Sequence, residues 1–254
     1  MRRILMTIVA AAVCLLPALR AQEQAATAPP PPSMGLQGHV GGILIPVIPG
    51  APFSGKLVGD LTGKWADGTT VRSGFFNLIA RDSQGRVHQE RRRIEPPGSS
   101  HAAELTRVTI WDTPKRTMIS CDVAQHSCVM SWFVPRFRLY DEPEGLSRDG
   151  KTYLTREKMG TAMLGDQQVE LTRETITTNA GAEGNDRPLV STRDFWYSPT
   201  LKINLAVRRT CACGTVQDLH VVDLLVGEPN PALFTPPAGY TMVDLRAPRV
   251  NQQR

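Results

Sequence analysis

Apolar and polar side chains alternate along most of the chain, and almost no stretch has helical spacing. From 201 to 208, Leu, Ile, Leu and Val alternate with Lys, Asn, Ala and Arg. A period of two gives a strand one buried face and one wetter face. The stretch 194–198 precedes it and ends at Pro199, which cannot donate to a ladder and therefore marks a turn. Together these stretches predict a β-hairpin.

The same alternation begins at Phe53 and continues, with turn signals such as Asp67-Gly68 between the apolar stretches. About ten strands joined mainly by short turns are typical of an antiparallel meander. A sheet of that size must curl. The sequence therefore predicts a mostly β fold with little helix, in which the meander forms a curved sheet or incomplete β-barrel with one broad concave face.

The first residues have the layout of a secretory signal peptide. Arg2 and Arg3 precede an apolar run at 4–19, which Pro17 interrupts, and Ala21 provides a small residue at the cleavage position. We expect cleavage after Ala21 and a periplasmic or secreted protein. The run is short for a membrane span, so an uncleaved anchor is the alternative.

The remaining chain divides into three parts. Residues 22–52 are rich in Pro and Gly and predict a flexible tether, since the four prolines at 29–32 favour an extended backbone. Its apolar patch, 43–48, is unusual in a linker, and docking of this patch on the sheet is the alternative. Residues 53–245 predict a single β domain with a long polar loop at 135–158, and 246–254 predict a disordered tail.

The charge argues against nucleic acid as a partner. The chain has 29 basic and 24 acidic residues, a net charge of +5. Residues 1–21 hold three arginines and no acids, so without them 26 basic and 24 acidic residues give +2. The one dense basic run, 91–93, lies on an alternating strand rather than on a concentrated basic face. No later segment is apolar enough to cross a membrane, so we expect the mature chain not to span one.

Four cysteines remain after processing, and an even number in an exported chain favours disulfides. Cys121 and Cys128 flank a plausible hairpin turn, where facing positions lie within bridging distance. Cys211 and Cys213 pair either with each other or with Cys121 and Cys128. A thiol redox role for Cys211 and Cys213 is a further alternative. The cysteine spacings differ from those of structural zinc sites, and we predict no metal and no cofactor.

The sequence lacks the common catalytic motifs. There is no Gly-x-Ser-x-Gly elbow, and the stretch 59–64 has one residue too few between its glycines for a phosphate loop. The five histidines are scattered, without the spacing of helical metal ligands. We therefore expect the protein not to be an enzyme.

Several short motifs together resemble a family of uncharacterised secreted bacterial proteins, over about 53–240. They are Ala-Asp-Gly at 66–68, Arg-Asp-Ser-Gln-Gly-Arg at 81–86, Phe-Trp-Tyr-Ser-Pro at 195–199, Gly-Glu-Pro-Asn-Pro-Ala-Leu-Phe at 227–234 and Pro-Ala-Gly-Tyr at 237–240. The stretch 233–239 is also similar to the end of the lipoprotein-carrier (LolA-like) proteins. That resemblance implies an incomplete barrel whose concave face holds an acyl chain. This chain departs from the carriers in lacking obvious amphipathic helices to plug the half-barrel.

Aromatic side chains on predicted strands are the best candidates for a ligand site. They are Phe75, Trp132, Phe195, Trp196 and Tyr197. Either they pack in the core, or some of them line a groove on the concave face that suits a lipid-like ligand. We therefore predict an exported, non-catalytic β module that binds an apolar ligand or an envelope component. The alternatives are a structural or protein-interaction domain with a filled core, and a thiol-disulfide protein that uses Cys211 and Cys213.

Overall fold

The structure, a computed structural model, describes residues 43–64, 67–96, 103–133 and 143–246. These ranges all belong to one compact unit, residues 34–254. The predicted signal peptide, the tether before Ile43 and the predicted tail beyond Arg246 lie outside the described residues.

The described residues form thirteen strands and one short 3-10 helix, which confirms the prediction of a mostly β fold with little helix. The elements are β1 Phe53–Lys64, β2 Thr70–Arg81, β3 Val87–Arg92, β4 Leu105–Asp112, β5 Thr117–Asp122, β6 Ser127–Trp132, β7 Gly145–Leu146, β8 Thr152–Leu164, β9 Gln167–Thr178, β10 Leu189–Ser198, β11 Ile203–Thr210, β12 Val216–Val226, the 3-10 helix η1 Pro231–Phe234 and β13 Thr241–Asp244.

All strands belong to one sheet in the order β13-β6-β5-β4-β3-β2-β1-β12-β11-β10-β9-β8-β7. Two meanders, β1 to β6 and β7 to β12, meet where β1 pairs with β12. Every pairing is antiparallel except that of β13 with β6. The predicted antiparallel meander, curved and not closed into a barrel, is confirmed.

The main hydrophobic core shows how strongly the sheet curls. Val87 on β3 and Val169 on β9 belong to the same buried cluster, together with Leu57, Leu205 and Leu219. Strands β3 and β9 are six places apart in the sheet order, which would separate them by about 29 Å in a flat sheet. The sheet therefore wraps around this cluster, and the face that carries it is called the inner face below.

Residues 43–52, called the inner segment below, pack against this core. Ile43 and Ile45 are buried in it, and Val47 packs against it. The predicted tether, 22–52, therefore extends too far along the chain. Its last residues dock on the sheet, as the alternative proposed for the patch 43–48. The inner segment adds no strand to the sheet; its side chains fill part of the concave face instead.

One buried arginine holds the inner segment in place. The Arg81 side chain is fully buried, and its Nε and Nη2 donate to the carbonyl of Ala51 at 3.0 and 2.7 Å. Its Nη1 donates to the carbonyl of Pro46 at 3.1 Å, and Nη2 also donates to the carbonyl of Leu201. Burial lowers the pKa of Arg81 to about 10. Arg81 thus supplies the donors that these carbonyls would otherwise find in a ladder.

A second, smaller core covers the other face of β4 to β6. It contains Val108, Ile110 and Ile119 together with Cys121 and Cys128. The chain after β12 covers this outer face, where Tyr240 packs against the cluster and the carbonyl of Leu233 lies 2.7 Å from Nδ1 of His88.

The structure describes the predicted loop at 135–158 from residue 143 onward, and there it differs from the prediction. Strands β7 and β8 lie partly inside that range, and β8 pairs with β9 from Thr152 to Leu164. Leu154 is the one fully buried side chain of β8, so the strand shows no apolar alternation. Both of its faces are largely exposed, and the polar sequence therefore resembles a loop.

Candidate ligand-binding face

The strand registers place five residues in one row across the inner face, called the apolar row below. Phe75 on β2 faces Gly59 on β1, and Gly59 faces Leu219 on β12. Leu219 in turn faces Val207 on β11, which faces Phe195 on β10. Facing residues of antiparallel strands point to the same side of the sheet. Four strand spacings give this row a length of about 19 Å.

Glycine at position 59 lets the Phe75 ring lie directly over the sheet. A Cβ on Gly59 would lie 2.9 Å from Cδ2 of Leu219 and nearer still to Cε1 and Cζ of the Phe75 ring. Real Cβ atoms essentially never come that close to a neighbour. Leu219 and Val207 in the middle of the row are buried, whereas Phe75 and Phe195 at its ends are half-buried.

A second row, the polar row, runs beside the apolar row on the same face. Arg156, Glu174, Arg193, Arg209 and Gln217 face one another in that order from β8 to β12. Nε of Arg156 donates to Oε1 of Glu174 at 2.7 Å, and Nη1 of Arg193 lies 3.6 Å from Oε2 of Glu174. Nη1 of Arg209 donates to Oε1 of Gln217 at 3.1 Å.

The charge of the polar row is unbalanced around Arg209. Burial lowers the pKa of Arg209, and the positive charge of Arg193 lowers it further. Within the part of the chain that the structure describes, no carboxylate lies within 4.0 Å of the Arg209 guanidinium. Glu174 is the single acid of the row, and Arg156 and Arg193 already share it.

The structure brings together some of the predicted site residues. Phe75 and Phe195 occupy the two ends of the apolar row. Trp196 and Tyr197 follow Phe195 at an irregularity in the pairing of β10 with β11, and Trp196 packs against the main core.

Trp132 lies elsewhere. Counting the register from β2 to β6 places Trp132 on the outer face, with Met130 and Cys128. Its side chain is 61% exposed, and the Arg246 guanidinium lies 5.4 Å from its ring. Trp132 therefore does not contribute to the inner face.

The arginines of the polar row were not among the residues predicted from the sequence. A signal for one of them exists, because Arg209 continues the odd-numbered series of Ile203, Leu205 and Val207. A charged residue that continues an alternating series of buried residues points to the same face, where it needs polar or charged partners. Arg193 has the same relation to Phe195, two positions away on β10.

The cysteines form two disulfides, Cys121 with Cys128 and Cys211 with Cys213, with Cα–Cα distances of 3.9 and 5.0 Å. The first is buried in the outer core, and the second is exposed at the turn between β11 and β12. Paired cysteines are typical of oxidising compartments, which agrees with the predicted export.

Metal sites and membrane-spanning helices are both absent from the described ranges. These ranges contain no group of three or more His, Cys, Asp or Glu side chains placed to hold a metal ion. No helix within them has the length and apolar character needed to cross a membrane.

The fold and this face define a class of protein: an open, curled antiparallel sheet with the apolar row and the polar row side by side on its inner face. No protein-family model matches the chain, and no curated protein matches it.

Three solved structures are similar to it over most of their length. An uncharacterized conserved protein from Thermus thermophilus is 13% identical, with 76% of this chain and 90% of that one covered and a TM-score of 0.41. LprF from Mycobacterium bovis is 12% identical, with 71% and 90% covered and a TM-score of 0.27. A DUF1329 family protein from Desulfovibrio piger is 7% identical, with 74% and 91% covered and a TM-score of 0.22. These TM-scores are all below 0.5, so the likeness carries no information about function.

Proposed function

We propose that the protein is an exported, non-catalytic binding protein that holds an apolar, lipid-like ligand against the apolar row of its inner face. The observation that carries the proposal is the row itself. Phe75 and Phe195 stand half-buried at its ends, and Gly59, Leu219 and Val207 are the buried residues that join them on one face. A length of about 19 Å suits an extended hydrocarbon chain.

Burial of the two rings would supply part of the binding free energy. Removing apolar surface from water contributes about 25 cal/mol per Å², and full burial of a Phe side chain contributes about 1.5–3 kcal/mol. Phe75 and Phe195 are both already in contact with the main core, so a ligand would cover the remaining part of two fixed rings. Rings held in place by their neighbours lose little conformational freedom on binding.

The first test is native mass spectrometry of protein purified gently from the periplasm. Bound mass that disappears on extraction with organic solvent supports the proposal. The second test is titration with oleyl alcohol below its solubility limit. We expect Phe195→Ala to weaken its binding by about tenfold, since about 1.4 kcal/mol corresponds to a factor of ten. Trp132→Ala, an aromatic deletion on the outer face, should leave the affinity unchanged. Equal effects of the two substitutions would refute the proposed location.

A structural or protein-interaction domain is the second candidate function, and the inner segment favours it. Ile43, Ile45 and Val47 already fill part of the concave face with the protein's own side chains. This function predicts a bare protein in native mass spectrometry and no measurable binding of oleyl alcohol.

A further inference from the structure

We infer that the ligand is an amphiphile with an acidic headgroup, which Arg193 and Arg209 bind while its chain lies along the apolar row. The inference deepens the proposed function and rests on it. It specifies the chemistry at one end of the ligand, a carboxylate or phosphate group, and the two side chains that recognise it.

The first argument is the charge of the polar row. The guanidinium groups of Arg156 and Arg193 both contact the carboxylate of Glu174, and no carboxylate of the described residues lies within 4.0 Å of Arg209. Glu174 is held at 2.7 Å by Arg156 and at a longer distance, 3.6 Å, by Arg193. At the Arg193 and Arg209 end of the row, therefore, no carboxylate of the described residues lies within hydrogen-bond distance of either guanidinium.

The second argument is the environment of Arg209. Its hydrogen-bond partner is the buried amide of Gln217, which is neutral and does not compensate the charge. Burial and the neighbouring Arg193 both disfavour the charged guanidinium, which is the direction of its pKa shift. A partly desolvated charge without an opposite charge is costly, and an anion placed between the two arginines would relieve that cost. Guanidinium groups also match carboxylate and phosphate oxygens in geometry.

The third argument is the position of the two rows. Arg209 lies two residues from Val207 on β11, and Arg193 lies two residues from Phe195 on β10, so each arginine stands about 7 Å from a member of the apolar row. A single amphiphile thus reaches both rows, with its headgroup at the arginines and its chain against the partly exposed ring of Phe195. A soluble anion would use the polar row alone.

The test compares three compounds with one shared chain: oleate, oleyl phosphate and oleyl alcohol, each below its micelle-forming concentration. Affinities are measured by calorimetry on the delipidated full-length mature protein. We expect the two acidic compounds to bind at least tenfold more tightly than the alcohol. Hydrogen bonds to charged groups contribute about 1.5–3 kcal/mol, so Arg209→Gln should weaken oleate binding by about 10- to 100-fold and leave the alcohol unchanged.

Arg208→Gln is the matched control. Arg208 precedes Arg209 on the same strand and points to the opposite face of the sheet. Its Nε lies 3.6 Å from Oδ1 of Asp218. The Arg208→Gln substitution should change the affinity for oleate by less than about a factor of two, since the Arg208 side chain lies on the side of the sheet away from the proposed ligand. If Arg209→Gln does not fold, as judged by urea unfolding, Arg193→Gln tests the same contact at a side chain that is 42% exposed.

The outcomes separate the two proposals. If oleate and oleyl alcohol bind equally and the arginine variants bind both like the wild type, the headgroup inference is wrong and the apolar ligand stands. If none of the three compounds binds, the proposed function fails. If acetate or inorganic phosphate alone binds as tightly as oleate, the arginines form a site for a free anion, and the amphiphile is refuted.

Discussion

A methyl group added at Gly59 has no room beneath the ring of Phe75. The new Cβ would approach Cδ2 of Leu219 to 2.9 Å and the ring even more closely. The backbone φ of Gly59 is not in the left-handed region, so alanine is excluded there by its surroundings and not by backbone strain. Gly59→Ala therefore tests mainly the stacking of the Phe75 ring on the sheet, with a smaller contribution from Leu219.

The expected cost follows from two opposing effects. Adding a methyl group to a well-packed interior typically costs about 1–3 kcal/mol, because side chains leave their preferred rotamers. Replacing glycine by alanine in a strand with space available stabilises it by about 0.5–1 kcal/mol. Gly63 provides that reference, since a Cβ there would meet Oγ1 of Thr215 at an ordinary 3.7 Å.

The assay is urea unfolding of Gly59→Ala and Gly63→Ala, followed by circular dichroism. We expect Gly59→Ala to lose about 1–3 kcal/mol and Gly63→Ala to be neutral or slightly stabilised, with equal m values. In a domain of this size, each kcal/mol changes Tm by about 2–4 °C. A double-mutant cycle with Phe75→Ala assigns the cause, because the penalty at position 59 should disappear once the ring is removed.

Two results would refute this reasoning. If Gly59→Ala and Gly63→Ala have the same stability, the Phe75 ring does not lie over Gly59. If the penalty persists in the Phe75→Ala background, the obstruction comes from Leu219 or the backbone. The first result would also remove one end of the apolar row, and with it part of the basis for ligand binding.

Three further predictions concern stability. Arg81→Met leaves three backbone carbonyls without their donor, so we expect the free energy of unfolding in urea to fall by about 3 kcal/mol. The control is Arg72→Met at an exposed position, which should cost less than about 0.5 kcal/mol. Similar losses for the two variants would contradict this prediction. Burial lowers the pKa of His88 below 6.5 in the folded protein. The free energy of unfolding should therefore fall as the pH drops from 6.5 towards the pKa of the folded state, because the unfolded chain binds the proton first. His88→Gln should flatten this pH dependence, and an unchanged slope in the variant would contradict the prediction. Removal of the disulfide by Cys121→Ser with Cys128→Ser should cost about 2 kcal/mol. A reductant should lower Tm more in the wild type than in the double variant, which keeps the exposed Cys211–Cys213 disulfide.

Alternation predicted the strands wherever one face is buried. β11 is an example, since Ile203, Leu205 and Val207 are buried and their neighbours are not. The same reasoning missed the first half of β8, 152–158, because hydrogen bonds to β9 hold that strand while both of its faces are largely exposed to water. Hydrogen bonding between backbones has no side-chain signature, so such strands cannot be recognised from the apolar pattern.

Local alternation does not show to which face of the whole sheet a side chain points. Phe75 and Trp132 both lie on strands, but the face of Trp132 relative to Phe75 is decided by the register of four successive pairings. A shift of one residue in any of them would reverse it. For the same reason the apolar row, which joins β2 to β10, could not be derived from the sequence.

The inner segment illustrates a different limit. Pro46 and Pro49 correctly exclude a central strand, since proline cannot donate to a ladder. What the prolines do not reveal is that Arg81, 30 residues beyond Ala51, donates to the carbonyls of this segment from within the sheet. A single buried side chain thus replaces a ladder, and its partners are separated too far along the chain to form a local pattern.

The two edges of the sheet bear on how the protein avoids self-association. One edge is β13, four residues long; at the other edge, the two-residue β7 pairs with β8 at Tyr153 and Leu154. By pairing with β6, β13 covers the six-residue edge strand Ser127–Trp132, on which Val129 and Trp132 are exposed. A chain that ended before β13 would present this apolar edge to its neighbours. β13 therefore shields this edge of the sheet from neighbouring molecules.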